Sequence, residues 1–279
     1  MANYTAADIK ALRERTGAGM LDVKKALDEA EGDSAKALEI IRIKGLKGVS
    51  KREDRATSDG LVAASIVAGE GGQRGVLVEV NSETDFVAKN ATFVELAETV
   101  LATASDSEAS DAEALLGVQV DGRALQEVVD ETAATLGEKL VVRRLARIDG
   151  EVVTEYLHRT SRDLPPQVGV LVASDGAGGA VARDVAMHVA AYAPTYLSRQ
   201  DVPEDLVADE RRIAEETARN EGKPEQAMPK IIEGRLNGFF KENVLLDQPF
   251  AKDPKKSVGQ FVSEAGGTIT GFVRFRVGS

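Results

Sequence analysis

An α+β fold is predicted: an N-terminal three-helix module, then two related α+β subdomains built on antiparallel sheets, with a helical hairpin in the second. Three observations carry this. Up to Gly45 apolar residues recur at helical spacing, interrupted at short intervals by glycine. From Gly60 to Val80 the spacing changes to two, the period of a half-buried strand. From Tyr156 to Tyr192 a strand, a Gly-rich turn and an apolar helix follow one another, repeating the plan. The boundaries that result are residues 1–54 for the module and the start of its linker, 55–148 for the first subdomain and 149–279 for the second, with the hairpin at about 204–238.

Taken in order, Thr5-Ala-Ala-Asp8 fits a helix start, Thr capping and an acid three residues on, where a capping box usually has Glu or Gln. Ile9, Ala11 and Leu12 then face inward, Gly17 and Gly19 break the helix, and Leu21, Val23, Ala26 and Leu27 restart the period. Gly32-Asp33 gives the next break and cap before a third short helix through Ala37, Leu38, Ile41 and Gly45. Asp22, Asp28 and Glu29 beside Lys24 and Lys25 make a poor phosphate face, so a protein-binding module fits better than a DNA reader. Lys47 to Gly60, charged and small, reads as a linker. Leu61–Val67, the turn Gly69–Gly72 and Val76–Val80 form a β-hairpin, followed by a helix from Thr92 to Ala104 with Phe93, Leu96, Val100 and Leu101 inward. Ser105 to Ala114 is acidic and reads as a solvated loop or frayed helix end. Later come the strands Tyr156–His158 and Gly169–Ser174, separated by a loop with Pro165 and Pro166, and a helix Val181–Tyr192. Asp201–Arg219 and Glu225–Phe240 fold back about Gly222-Lys-Pro224 as a helical hairpin, either an arm to a partner or a solvated hairpin packed on one side. Thr268–Val277 alternates and pairs back into the second sheet.

Composition narrows the function. The 279 residues include 35 Lys and Arg against 46 Asp and Glu, a formal charge of −11, which opposes direct nucleic-acid binding. There is no Cys, the N-terminus lacks the pattern of a signal peptide, and no apolar run approaches the ~20 residues of a spanning helix. A soluble cytoplasmic protein with no membrane partner is the expectation. For catalysis the inventory is thin: His188, inside the apolar helix Ala186–Ala191, reads as a hydrogen-bonded structural residue, and His158 lies near a strand end. No HExxH, GxSxG or P-loop string occurs, and Gly176-Ala-Gly-Gly179 imitates a dinucleotide turn but has Val181 where its third glycine belongs. The chain is therefore read as a binding protein and not an enzyme, with no cofactor and no metal.

The run Asn81-Ser-Glu-Thr-Asp-Phe-Val-Ala-Lys-Asn90 follows the strand Gly75–Val80. Thr84 or Asp85 can cap a helical turn there. Phe86 then either projects as a wedge or folds back as core, and burial statistics for a lone Phe favour the core. A second run, Leu12-Arg-Glu-Arg-Thr-Gly-Ala-Gly-Met-Leu-Asp-Val-Lys-Lys-Ala-Leu27, changes the balance. Together the two resemble the elongation factor Ts family, guanine-nucleotide exchange factors of the GTPase elongation factor Tu, which carries TGAGM before a K-K-A-L helix and TDFVAKN after a strand. The likeness continues through Gly137-Glu-Lys139, Arg143-Arg144, Gly169–Val172, Met187–Ala191, Gly222-Lys-Pro224, Glu233-Gly-Arg235 and Gly271–Phe275, essentially the whole chain.

The resemblance implies a translation elongation factor that binds elongation factor Tu in its GDP-bound and nucleotide-free forms. It implies that Thr84, Asp85, Phe86 and Val87 dislocate the partner's Mg²⁺ and loosen its phosphate contacts, Phe86 as wedge and Asp85 as polar anchor. Arg13, Met20, Leu21 and Lys24 are implied contacts to the nucleotide domain. Leu136, Gly137 and His158 match further contact positions, the latter two in the region that faces the GTPase's other end. Ser82 stands where many relatives have Cys, and Leu21 where some have a second Met. The first fifty residues are also similar to the ubiquitin-associated module, so the rival class is an adaptor that binds without accelerating nucleotide release. A homodimer through the hairpin stays open.

Overall fold

The computed structural model describes residues 3–16, 18–49 and 52–279, and for residues 46–49 the backbone alone. Helix α1 (Ala6–Thr16) opens on a reciprocal cap in which Asp8 does the work expected of Glu: its Oδ2 accepts from the Thr5 N–H at 2.7 Å while Thr5 Oγ1 accepts from the Asp8 N–H at 3.3 Å. Helices α2 (Met20–Glu29) and α3 (Ser34–Val49) complete the predicted module around Leu12, Val23, Ala26, Leu27, Ala37 and Ile41. Ala11 is exposed, because the buried stripe of α1 runs through Leu12 and Thr16, one turn apart. The break expected at Gly17 lies outside the described residues.

The third helix is longer than expected. The reading of Lys47 as the start of a linker is corrected: α3 continues to Val49, and of the shortened linker residues 52–58 are described. Gly45 is not a helix end but a point of close approach, since a Cβ there would overlap the Ala134 carbonyl.

Strands β1 (Asp59–Gly69) and β2 (Gly72–Ser82) form the predicted hairpin about Glu70-Gly71. A one-turn helix α4 (Asp85–Ala88) leads to α5 (Ala91–Asp106), whose Phe93, Leu96 and Val100 are buried as the spacing requires. The acidic segment after it is a short loop and a five-residue helix α6 (Ala112–Leu116) capped by Asp111, followed by the minor ribbon β3 (Gln119–Val120) and β4 (Arg123–Ala124). Helix α7 (Leu125–Leu136) and strand β5 (Val141–Gly150) were not foreseen; β5 pairs with β2 to give a sheet of order β1-β2-β5.

The second subdomain repeats the plan. Strands β6 (Val152–His158) and β7 (Val168–Ser174) precede α8 (Gly179–Tyr192); then come the hairpin helices α9 (Glu204–Asn220) and α10 (Met228–Asn243), joined on their inner sides by Ala214, Ala218, Met228 and Leu236. The small ribbon β8 (Pro249–Phe250) and β9 (Asp253–Ser257) and helix α11 (Val258–Glu264) lead to β10 (Ile269–Arg276), which pairs with β7 as expected and closes a sheet of order β10-β7-β6.

Strand alternation divides the core. On one face of the first sheet Leu61, Val76, Val78 and Val80 pack against α5 and α7. On the other, Val62 and Leu77 meet Val153, Leu171, Ala173 and Phe275 of the second sheet. The second sheet's outer face carries α8 over Val170 and Val172. The result is four layers, with the turn after β2 at the rim of the first two.

Candidate functional site

The 84–90 turn is built by three caps. Ser82 Oγ donates to the Thr84 carbonyl at 3.0 Å; Thr84 Oγ1 accepts from the Val87 N–H at 3.4 Å; Asn90 Oδ1 accepts from the Thr92 N–H at 2.9 Å and starts α5. Of the two candidates for the first cap, Thr84 is the one used. Val87 and Ala88 enter the core, and successive helical residues are about 100° apart, so Phe86 is turned away from it. Its side chain is 74% exposed, which overturns the core reading left open by the residues alone.

Charge frames the ring. Lys89 Nζ lies 4.5 Å from the Phe86 ring centroid and 3.2 Å from Asp85 Oδ2, so Asp85, Phe86 and Lys89 present one apolar face between opposite charges. Asp59, at the start of β1, has its carboxyl pushed up by burial and by the neighbouring Asp85.

The end of α7 reaches the same turn. Gly137 ends that helix with φ +78°, a left-handed conformation that glycine adopts without strain, and its N–H closes on the Ala133 carbonyl at 2.9 Å. That reversal brings Glu138 against Thr84, whose N–H and hydroxyl donate to the two carboxylate oxygens at 3.0 and 2.6 Å. Burial pushes the Glu138 carboxyl up, opposed by the hydrogen bonds from Thr84. Glu83 answers in the other direction, accepting from the Lys139 N–H at 2.7 Å and pairing with Arg55 at 3.0 Å.

Leu136 and Gly137 therefore lie beside Thr84, and Leu136 is itself a core residue at 2% exposure, so its side chain is not a free contact. His158, by contrast, is exposed at the end of β6, its Nδ1 3.2 Å from the Tyr156 hydroxyl. Between the two regions runs an apolar groove of about 460 Å³, with Lys89 at one margin and Arg159 at another, floored by Leu61, Ala63 and Leu101. Leu164, Pro165 and Pro166 wall it, anchored by the Val62 N–H on the Pro166 carbonyl at 2.9 Å. The loop after His158 thus gains a structural role that its polar and proline-rich wording did not reveal.

On the module, Arg13, Met20, Leu21 and Lys24 are all exposed, Met20 and Leu21 at 58% and 71%. Two large apolar side chains standing in water on the same first turn of α2 form a surface with no internal partner among the described residues. The module is seated on α7 through Gly45 against Ala134 and through the ion pair Arg42–Glu131.

His188 behaves as read from its sequence context. It is 1% exposed; Nε2–H donates to Gln248 Oε1 at 2.8 Å and Nδ1 accepts from the Ala251 N–H at 3.2 Å, which defines the neutral tautomer. Burial holds its pKa below the ordinary value. Among the described residues no group of His, Cys, Asp and Glu is arranged to hold a metal ion, and no helix is long and apolar enough to cross a membrane.

Residues 83–279 match the family model described as Elongation factor TS, beginning one residue before Thr84. Full-length relatives extend the likeness over the module. The chain is 70% identical over 281 residues to the protein named Elongation factor Ts of Beutenbergia cavernae, and 65% identical over 282 residues to that of Renibacterium salmoninarum, with 100% of each chain covered. The protein of the same name in Kineococcus radiotolerans is 59% identical over 279 residues, again with 100% of both covered.

Proposed function

The chain belongs to the elongation factor Ts family, and from that premise we propose that it binds elongation factor Tu·GDP and expels the GDP by displacing Mg²⁺ and loosening the phosphate contacts. It acts as a nucleotide exchange factor, through protein–protein contact and without bond-breaking chemistry of its own. The observation that carries the mechanism is Phe86, exposed at 74% on a turn whose next two residues are locked in the core. A ring held out by buried neighbours can be pushed into a partner without being pushed back.

In this reading Thr84, Asp85, Phe86 and Val87 form the dislocating segment. Phe86 is the wedge, Asp85 a polar anchor already paired with Lys89, and Thr84 and Val87 fix the turn. Arg13, Met20, Leu21 and Lys24 hold the nucleotide domain, and their exposure supports that role. Gly137 contributes through its backbone turn beside Thr84, Leu136 by anchoring that turn in the core, and His158 at a separate contact. Reciprocity then governs the cycle: if the factor weakens nucleotide, nucleotide weakens the factor by the same ratio, and GTP rebinding releases the complex.

The test is stimulated release of mant-GDP from elongation factor Tu. Wild-type chain should accelerate release and Phe86→Ala should slow it by more than it weakens binding, because part of the ring's burial energy offsets distortion of the partner. An adaptor would bind with no acceleration, and that result would remove the exchange reading.

A further inference from the structure

The turn that carries Phe86 is too short to fix its own direction. Helix α4 is a single turn of four residues, closed by the Ala88 N–H on the Thr84 carbonyl at 3.1 Å and the Lys89 N–H on the Asp85 carbonyl at 3.2 Å. An isolated turn of this length is unstable in water, so its orientation is imposed from outside. Val87 and Ala88 fix it from below; at its capping residue Thr84 the neighbouring Ser82 hydroxyl holds the carbonyl, and among the described residues Glu138 is the one from outside the 82–90 segment that hydrogen-bonds to Thr84.

We propose that Glu138 is a positioning residue for exchange: its carboxylate clamps Thr84 and thereby sets the direction in which Phe86 projects. The inference rests on the reading of Phe86 as the wedge. Thr84 has one hydroxyl proton, and it is committed to Glu138 Oε1 at 2.6 Å, which leaves an oxygen lone pair directed at the Val87 N–H. The second carboxylate oxygen takes the Thr84 N–H at 3.0 Å. Both bonds are charge-assisted, the strong class. The clamp is doubled in reverse by Glu83, which accepts from the Lys139 N–H at 2.7 Å, so each of the two loops caps the other's backbone.

Glu138 also links the wedge to the rest of the molecule. It follows α7, the helix on which the N-terminal module sits through Ala134 and Glu131, and the reversal at Gly137 aims it. Module and wedge are thus both held at the C-terminal half of one helix. A partner that engages both would meet Phe86 at a direction set by α7.

Full-length Glu138→Ala and Glu138→Gln are compared with wild type in mant-GDP release from elongation factor Tu over a range of factor concentration. Glu138→Ala should lower the maximal release rate about tenfold while the half-saturating concentration moves by less than about threefold. Glu138→Gln keeps an acceptor for the hydroxyl, loses the charge, and should fall between. Because the chain has no Trp, Phe86→Trp supplies a sole reporter whose fluorescence anisotropy in the free factor should drop when Glu138→Ala is added. Maximal rates equal to wild type in both variants overturn the proposal; so does slower release with anisotropy at position 86 unchanged, which marks a merely structural role. Should the Ala variant fail to fold, the near-isosteric Gln variant carries both readouts. Wild-type chain that does not accelerate release sinks the exchange reading itself, whereas accelerated release with normal Glu138 variants sinks the positioning role alone.

Discussion

Phe86 is held outward by what its neighbours do, not by anything its own ring touches in the core. Truncation should therefore leave the fold intact: Phe86→Ala should change unfolding free energy by no more than about 0.5 kcal/mol, as for an ordinary surface position. Phe93→Ala, seven residues on and fully buried, should cost about 3–5 kcal/mol. Denaturant titration of the pair checks the assignment, and a Phe86→Ala loss as large as that of Phe93→Ala would contradict it. His188 supplies a second residue-scale test. Its neutral ring donates at Nε2 and accepts at Nδ1, and burial depresses its pKa below the ordinary 6.5. A depressed pKa means that the unfolded chain takes up the proton first. The stabilising contribution is complete above 6.5 and is lost as pH falls from there through the folded value. The fall in melting temperature on acidification through that window should be shallower in His188→Asn than in wild type; parallel curves would remove His188 from the account. At this scale the sequence could name the Phe but not its direction, because four residues are too few for any period to show which face is buried.

Among elements, α3 and α10 show how one residue type carries opposite meanings. Gly45→Ala puts a methyl group into the Ala134 carbonyl and should cost about 1–3 kcal/mol or unseat the module, seen as faster proteolysis within residues 52–58. Gly234→Ala, exposed in α10 with open space where the Cβ would go, should instead stabilise by about 0.5–1 kcal/mol. The same sign for both substitutions, measured by thermal unfolding, would refute the close-approach reading. The amphipathic helices and the β1–β2 hairpin were legible because their burial follows a single period. Strand β5 was not, since its arginines interrupt the apolar pattern while serving the fold. Arg147 donates to the carbonyls of Ala104 at 2.5 Å and Ser107 at 2.9 Å and also to that of Ala109, closing the end of α5. Arg144 meets a buried carboxylate. Polar residues with internal partners look like surface in a hydropathy pattern, and α7 went unread beside them.

For the whole molecule, the two subdomains are joined by a charge as well as by apolar contact. Arg144 Nε donates to the fully buried Glu79 at 2.6 Å, its guanidinium lies 4.5 Å from the Phe275 ring centroid, and its Nη2 donates to the Arg276 carbonyl at 2.8 Å. Arg144→Ala removes the partner of the buried Glu79 carboxyl and should cost about 3–5 kcal/mol. Calorimetry should show one lowered transition; an unchanged melting temperature would mean that the pair is not needed. The module is peripheral by comparison, carrying its own small core. Removing residues 1–54 should weaken binding to elongation factor Tu while leaving measurable GDP release at high factor concentration, and an affinity equal to the full chain's would exclude the contacts assigned to Arg13, Met20, Leu21 and Lys24. The helices of the N-terminal module were legible from their apolar spacing, while their docking on the core was not, because it depends on α7.

The strand order β10-β7-β6 also bears on how the chain is made. All seven residues of β7 are buried, yet its partner on one side is the strand at residues 269–276, which leaves the ribosome long after β7 does. Throughout that interval a largely apolar strand has one row of backbone groups unpaired, the geometry that recruits strands from other nascent chains. The charged α9–α10 hairpin and α11 are synthesised inside this interval. Pairing of β7 with β10 therefore comes late in the folding of the second subdomain, and a ribosome stalled before residue 269 should display a chain that aggregates or calls on a chaperone.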